Sequence, residues 1–125
     1  MKKIYSRSLI LILIVLVVGI VLLSKRSKEP GKLDQFVGCL KDRDAVFYGA
    51  FWCPHCQNQK KLFGNSQKFL SYVECSTPDG SGQLPICKEK GISAYPTWEF
   101  SDDSKESGEL SLEFLSNKTG CELPR

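Results

Sequence analysis

From Leu9 to Leu23 the chain carries fifteen consecutive residues without a polar side chain, with Gly19 the only small one among them. As a helix, this run would be apolar on every side, whereas a surface helix needs a polar face. A chain of 125 residues leaves too little protein to wrap it as a core helix. Lys2, Lys3 and Arg7 precede the run, and Lys25, Arg26 and Lys28 follow it. At about 1.5 Å per residue it sits at the short end of what spans a bilayer. A cleaved secretory signal and an uncleaved signal-anchor share this pattern. Cleavage calls for small residues at spaced positions after the apolar run, which LLSKRSKEP does not supply. The expectation is one transmembrane helix at about 8–24. Residues 1–32 then form a cytosolic tip, the signal-anchor and a linker, and residues 33–125 form a folded domain.

The net charge of +3 divides along the same line. Residues 1–32 hold seven Lys or Arg and one Glu, a net of +6; residues 33–125 hold ten and thirteen, a net of −3. The basic charge belongs to the flanks of the apolar run, where it can meet anionic lipid. A mildly acidic folded part is no nucleic-acid footprint. Both flanks are basic, so the positive-inside rule leaves the orientation tied. The cysteines break the tie. Cys39, Cys53, Cys56, Cys75, Cys87 and Cys121 all follow the run. An even, dense set behind a targeting segment implies an oxidising compartment. A single-pass protein of the cell membrane follows, with its folded domain on the extracytoplasmic side.

Within that domain, Leu33, Phe36, Val37 and Leu40 keep the spacing of an amphipathic helix. Ala45 to Phe51 is a short apolar and aromatic run, read as a buried strand. Cys53 to Phe63 reads as a helix: Pro54 suits its first position, Lys60 and Lys61 suit its last turn, and Gly64 and Asn65 stop it. A strand at Tyr72 to Cys75, a loop at Thr77 to Gly82 and a short helix around Leu84 to Lys90 follow. Strands at Thr97 to Phe100 and Glu109 to Ser111 enclose a polar turn, and a last helix opens at Leu112 and ends at Gly120. Strands alternating with helices imply parallel pairing, and the closing hairpin adds an antiparallel edge. Phe47, Phe51 and Phe63 read as core, and Lys60, Lys61 and Lys68 as a solvated face.

The chemistry lies in Cys53-Pro54-His55-Cys56, between a strand and a helix start. A thiolate is the nucleophile in disulfide exchange, and unpaired N–H groups at a helix N-terminus favour it. Cys53 occupies that exposed position. Cys56, one turn inward, can attack a mixed disulfide formed at Cys53. His55, the single histidine, adds positive charge when protonated. Other uses of a CxxC pair fit less well. A zinc site would need Cys75 and Cys87, whose spacing is no second knuckle. Haem attachment needs a histidine where Gln57 stands. A purely structural disulfide sits poorly between a strand and a helix start.

Tyr48 to Cys56, Val73-Glu74-Cys75, Gly91-Ile92, Tyr95-Pro96-Thr97-Trp98 and Gly120-Cys121 together resemble the thioredoxin superfamily. The likeness extends from about Leu33 to Cys121. It is nearest to the thioredoxin-like domain attached to bacterial homologues of vitamin K epoxide reductase. The resemblance implies an α/β thioredoxin-like fold, with a central mixed sheet flanked by helices and, here, preceded by the transmembrane helix. It implies that Pro96 is cis and faces the CxxC pair, where its neighbour's backbone pairs with substrate. Tyr95, Pro96 and Trp52 then line the substrate surface, although Trp52 could equally shield the disulfide. The chain departs from ordinary thioredoxins at Phe47, six residues before Cys53, where many carry a buried carboxylate. The C-P-H-C tetrad is also that of the strongly oxidising periplasmic enzyme DsbA.

These features imply a protein disulfide oxidase with Cys53, Cys56, His55 and Pro54 at its catalytic centre and no cofactor or metal. Its partners would be protein thiols and a quinone-linked integral membrane oxidoreductase of the vitamin-K-epoxide-reductase type. A reductase or isomerase fed from the cytosol and a non-catalytic zinc-binding module are the rivals. Four cysteines remain, with three ways to pair. Element order favours Cys75–Cys87, closing a local loop, and Cys39–Cys121, tying the domain's ends. A free buried thiol at Cys39 or Cys121 is the alternative.

Overall fold

A computed structural model describes residues 2–26 and 31–125, and side chains from residue 7 to 22 in the first stretch. Met1 and the linker positions 27–30 lie outside the described residues. The chain divides into two compact units, residues 1–30 and 31–125.

The first unit is one helix, α1 (Lys2–Arg26). Its side chains from Leu9 to Val18 and from Ile20 to Leu22 are exposed and apolar all round. Among the described residues, no helix is long and apolar enough to cross a membrane. The expected transmembrane helix therefore does not appear as such. The apolar run inside α1 covers fifteen residues, about 22 Å of helix at 1.5 Å per residue, with basic residues on both flanks.

The second unit begins two residues earlier than the sequence reading places it. Gly31 N–H donates to Asp34 Oδ2 (3.0 Å) and Leu33 N–H to Ser66 Oγ (3.1 Å), so the residues around Lys32 belong with the domain. The elements are α2 (Asp34–Asp42), β1 (Val46–Gly49), α3 (Pro54–Leu62), a 3-10 helix (Gly64–Phe69), β2 (Tyr72–Glu74), α4 (Pro85–Glu89), β3 (Thr97–Glu99), β4 (Lys105–Ser107) and α5 (Leu112–Thr119). The sheet order is β2-β1-β3-β4. β1 and β2 pair in parallel across the α3 crossover, while β1–β3 and β3–β4 are antiparallel. This is a mixed sheet with helices, in a thioredoxin-like arrangement.

Alternation along β1 divides the core. Phe47 enters a cluster with Phe36, Val37, Leu40, Phe63, Trp98 and Leu115. Its ring stacks on Trp98 at 5.1 Å. The next residue, Tyr48, enters a smaller cluster with Cys75, Cys87 and Ile92. Two disulfides staple the layers: Cys39 in α2 to Cys121 just beyond α5, and Cys75 after β2 to Cys87 in α4.

One strand lies elsewhere than expected. Residues 109–111 are not in the sheet, and β4 is Lys105–Ser107. The buried Gln59 of α3 takes both peptide groups of Leu110: Leu110 N–H donates to Gln59 Oε1 (2.6 Å), and Gln59 Nε2 donates to the Leu110 carbonyl (3.0 Å). A residue held in this way has nothing left for a ladder.

Candidate active site

β1 delivers the chain to the site and releases it at once. Phe51 N–H donates to Glu74 Oε1 (3.2 Å), and the Phe51 carbonyl accepts from Gln57 Nε2 (2.9 Å), so both its peptide groups are bound off the sheet. Cys53 N–H closes the turn on the Ala50 carbonyl (3.0 Å). Phe51 is therefore no core residue; it is 48% exposed and lies beside Trp52, 51% exposed. Cys53 is the N-cap of α3 and Pro54 its first residue, where a missing N–H costs nothing.

Cys53 and Cys56 are the two free cysteines. Cys53 is 5% exposed rather than open, and Cys56 is 0% exposed. The Cys53 thiol points to the Tyr95 carbonyl at 3.7 Å. The Tyr95–Pro96 bond is cis, and Pro96 is fully buried. Burial pushes the Cys56 thiol up to about 12, with the neighbouring Cys53 adding to the effect and the Ala50 backbone and Lys60 opposing it. Cys56 is thus a thiol at neutral pH unless something stabilises its thiolate.

Two side walls flank the pair. On one, Trp52 Nε1 donates to Ser76 Oγ (2.8 Å), and the indole meets Tyr95 edge-on with centroids 6.1 Å apart. The Tyr95 hydroxyl accepts from Gln83 Nε2 (2.7 Å). Trp52 is thereby fixed as an exposed face next to Cys53. On the other wall, His55 Nδ1 lies 2.6 Å from Glu109 Oε1, which also accepts from Asn58 Nδ2 (3.3 Å). His55, then Asn58, holds the Glu109 carboxyl below the usual carboxylate range.

Beneath Cys56 lie Gly49, Tyr72 and Lys60. A Cβ on Gly49 would meet Cys56 Sγ at 2.9 Å and Tyr72 Cε2 at 3.0 Å, so glycine is what lets the helix approach the strand. Lys60 Nζ stands 3.5 Å from the centre of the Tyr72 ring, so Lys60 is not part of a simple solvated face. Burial, followed by the bond to Glu74, pushes the Tyr72 phenol up.

Sequence reading missed Glu109, Ser76, Tyr72 and Lys60. Glu109 lies 54 residues from His55 and Ser76 lies 24 from Trp52, with no local signal for either contact. Lys60 did carry a signal: it stands one helical turn after Cys56, on the same face. Cys75 and Cys87, the cysteines a zinc site would need, are bonded to each other. Among the described residues, no group of three or more His, Cys, Asp or Glu could hold a metal ion.

No family model matches the chain. It is similar to thiol-disulfide oxidoreductase LTO1 of Arabidopsis thaliana, with 44% identity over 84 residues, covering 63% of this chain and 22% of that protein. It is similar to protein disulfide isomerase-like 5-1 of Oryza sativa subsp. japonica, with 28% identity over 123 residues, 89% of this chain and 84% of that protein. A third relative is the protein disulfide-isomerase-like protein EhSep2 of Emiliania huxleyi, at 32% over 90 residues, 64% of this chain and 38% of that protein. The chain thus spans about a fifth of the length of the Arabidopsis relative. These likenesses, with the sheet order and the helix-borne cysteine pair, support a thioredoxin-like domain.

Proposed function

We propose that the domain is a thiol–disulfide oxidoreductase that exchanges disulfides with protein thiols through Cys53 and Cys56. One observation carries this reading: the two free cysteines sit one turn apart at the start of α3, with the outer thiol directed at the Tyr95 carbonyl beside cis Pro96. The names of the relatives support the same chemistry. Cys53 is the attacking sulfur, Cys56 the resolving one, His55 and Pro54 shape the helix start, and Trp52, Tyr95 and Pro96 receive the substrate chain.

We infer that the direction is oxidative. Phe47 puts an aromatic ring where a buried carboxylate would favour a reductant, and His55 adds potential positive charge beside Cys53. The membrane partner in this reading is a quinone-linked oxidoreductase of the vitamin-K-epoxide-reductase type, which takes the electrons. α1 is the membrane attachment, supported by apolar side chains exposed all round and by basic residues on both flanks of the sequence. An apolar run as short as Leu9 to Leu23 is accommodated by local thinning of the bilayer and by flanking lysines and arginines that reach to the interface. Two disulfides in a small domain support an extracytoplasmic location.

The test is oxidative refolding of a reduced, denatured disulfide protein by the oxidised full chain. The wild type should restore activity to that substrate, and Cys53→Ser should not. Equilibration with glutathione should give a potential above about −270 mV, that of thioredoxin. A value at or below it rejects the oxidative direction. Retention of the chain in the soluble fraction at alkaline pH would reject the membrane attachment.

A further inference from the structure

Where a thioredoxin-like domain would carry a buried carboxylate, this one has Phe47, fully buried between Trp98 at 5.1 Å and Tyr72 at 5.2 Å. The groups that face Cys56 come from three places. β1 offers only the backbone around Gly49 and Ala50, and Cys56 Sγ and the Tyr72 ring edge both lie about 3 Å from the point where a Gly49 Cβ would stand. β2 offers Tyr72 and Glu74, while Cys75, the residue after it, lies in the other core cluster. The Glu74 carboxylate is already engaged by Tyr72 Oη (2.7 Å), Ser76 N–H (2.9 Å) and Phe51 N–H (3.2 Å), and Cys75 is in a disulfide. α3 itself offers Cys53, one turn before, and Lys60, one turn after. Positions four apart share a helix face. Lys60 Nζ is seated on the Tyr72 ring at 3.5 Å, and the Tyr72 hydroxyl is tethered to Glu74, so the ammonium is held over the ring whose edge borders Cys56.

We propose that Lys60, seated on Tyr72, is the charge that stabilises Cys56 as a leaving thiolate, in place of proton handling by a buried carboxylate. The proposal rests on the disulfide-exchange reading. In the step concerned, a substrate thiolate attacks Cys53 of the oxidised pair. A bond forms between the substrate sulfur and Cys53, and the Cys53–Cys56 bond breaks. Its electron pair goes to Cys56, which leaves as thiolate beside Lys60 and then takes up the proton that the substrate thiol gave off. The substrate sulfur is oxidised and Cys56 is reduced, with no further reactant. A sulfur leaves faster when its thiolate is stabilised. Burial alone works against departure at this site, and a fixed cation one turn away opposes that penalty. Lys60 acts on Cys56 from its seat on the Tyr72 ring and is a positioning residue, as is Tyr72.

The experiment is single-turnover formation of the mixed disulfide between the oxidised full chain and glutathione, followed from pH 6 to 9 and corrected for ionisation of glutathione. Lys60→Gln should slow the step by about threefold, the effect of roughly one unit in leaving-group pKa. Lys60→Arg should restore most of the rate, since it returns the charge. Tyr72→Leu, which removes the seat but keeps the lysine, should slow the step like Lys60→Gln. Lys68→Gln makes the same charge change at a lysine over the Phe69 ring and should leave the rate unchanged. Equal rates for wild type and Lys60→Gln, with native circular dichroism and intact structural disulfides, would overturn the proposal. So would a Lys60→Arg variant as slow as Lys60→Gln. A wild type that forms no mixed disulfide at all would instead sink the disulfide-exchange reading itself.

Discussion

His55 Nδ1 and Glu109 Oε1 stand 2.6 Å apart and join the start of α3 to the segment that leads into α5. Asn58 reaches the same oxygen, and Gln59 clamps the adjoining Leu110, so one turn of α3 holds that segment by three side chains. Because the bond favours the ionised carboxylate, the Glu109 carboxyl titrates below the ordinary glutamate value of about 4.3. The sign follows: the link is intact above the ordinary range and is lost as pH falls through the lowered value. A carbon-detected NMR titration should find Glu109 low in the wild type. In His55→Ala its midpoint should rise, and in Asn58→Ala it should rise less. An ordinary midpoint in the wild type would mean that the contact does not form in solution.

The two active-site thiols should differ in reactivity. Cys56 has no exposed surface, and burial raises its thiol to about 12. At neutral pH it is therefore held as the thiol. Cys53 keeps a little exposure at the helix start. Brief alkylation of the selectively reduced protein, followed by peptide mapping, should find the label on Cys53 first. A first label on Cys56 would reverse the roles given to the two sulfurs.

Gly49 sets how closely α3 approaches β1. Gly49→Ala would press a methyl group against Cys56 Sγ and the Tyr72 ring at about 3 Å. The expected cost is about 1–3 kcal/mol, typical of overpacking. Gly38, inside α2, has nothing within 4 Å of a built Cβ. Gly38→Ala should therefore stabilise the domain by about 0.5–1 kcal/mol through helix propensity. Urea denaturation of both variants reads the contrast, and a Gly49→Ala variant as stable as Gly38→Ala would show that the helix can simply shift.

What was legible in the sequence follows the range of the forces involved. α3 could be read because its signals are local: Pro54 at the first turn, Lys60 and Lys61 at the last, Gly64 beyond. The parallel β1–β2 pairing follows from a helix between two apolar runs. The last strand was misplaced because Leu110 is apolar and the true strand, Lys105–Ser107, is polar and exposed. What removes Leu110 from the sheet is the side chain of Gln59, 51 residues away. Phe51 looked like core for a similar reason. Its composition is that of a strand, but Glu74 and Gln57 take its peptide groups and turn the ring outward. Each wall of the site is likewise built by a distant partner, Ser76 for Trp52 and Glu109 for His55, and periodicity carries no trace of either.

The two disulfides should separate stability from function. Cys39–Cys121 closes a sequence separation of 82 residues and Cys75–Cys87 one of 12. Chain entropy alone assigns the long loop about 4.5 kcal/mol and the short one about 3 kcal/mol. The paired variant Cys39→Ala/Cys121→Ala should therefore lose more in urea denaturation than Cys75→Ala/Cys87→Ala. Exchange activity should follow the opposite order. Cys75 directly precedes Ser76, which holds Trp52, and the same loop carries Gln83, which holds the Tyr95 hydroxyl. Loosening that loop disturbs the wall where Cys53 meets its substrate. The Cys39–Cys121 bond ties α2 to the segment after α5 and contributes no group to either wall. Rates should be measured below the unfolding transition of each variant. If the Cys39→Ala/Cys121→Ala protein, still folded, is the slower of the two, the loop from Ser76 to Leu84 is not what positions Trp52 and Tyr95 for exchange.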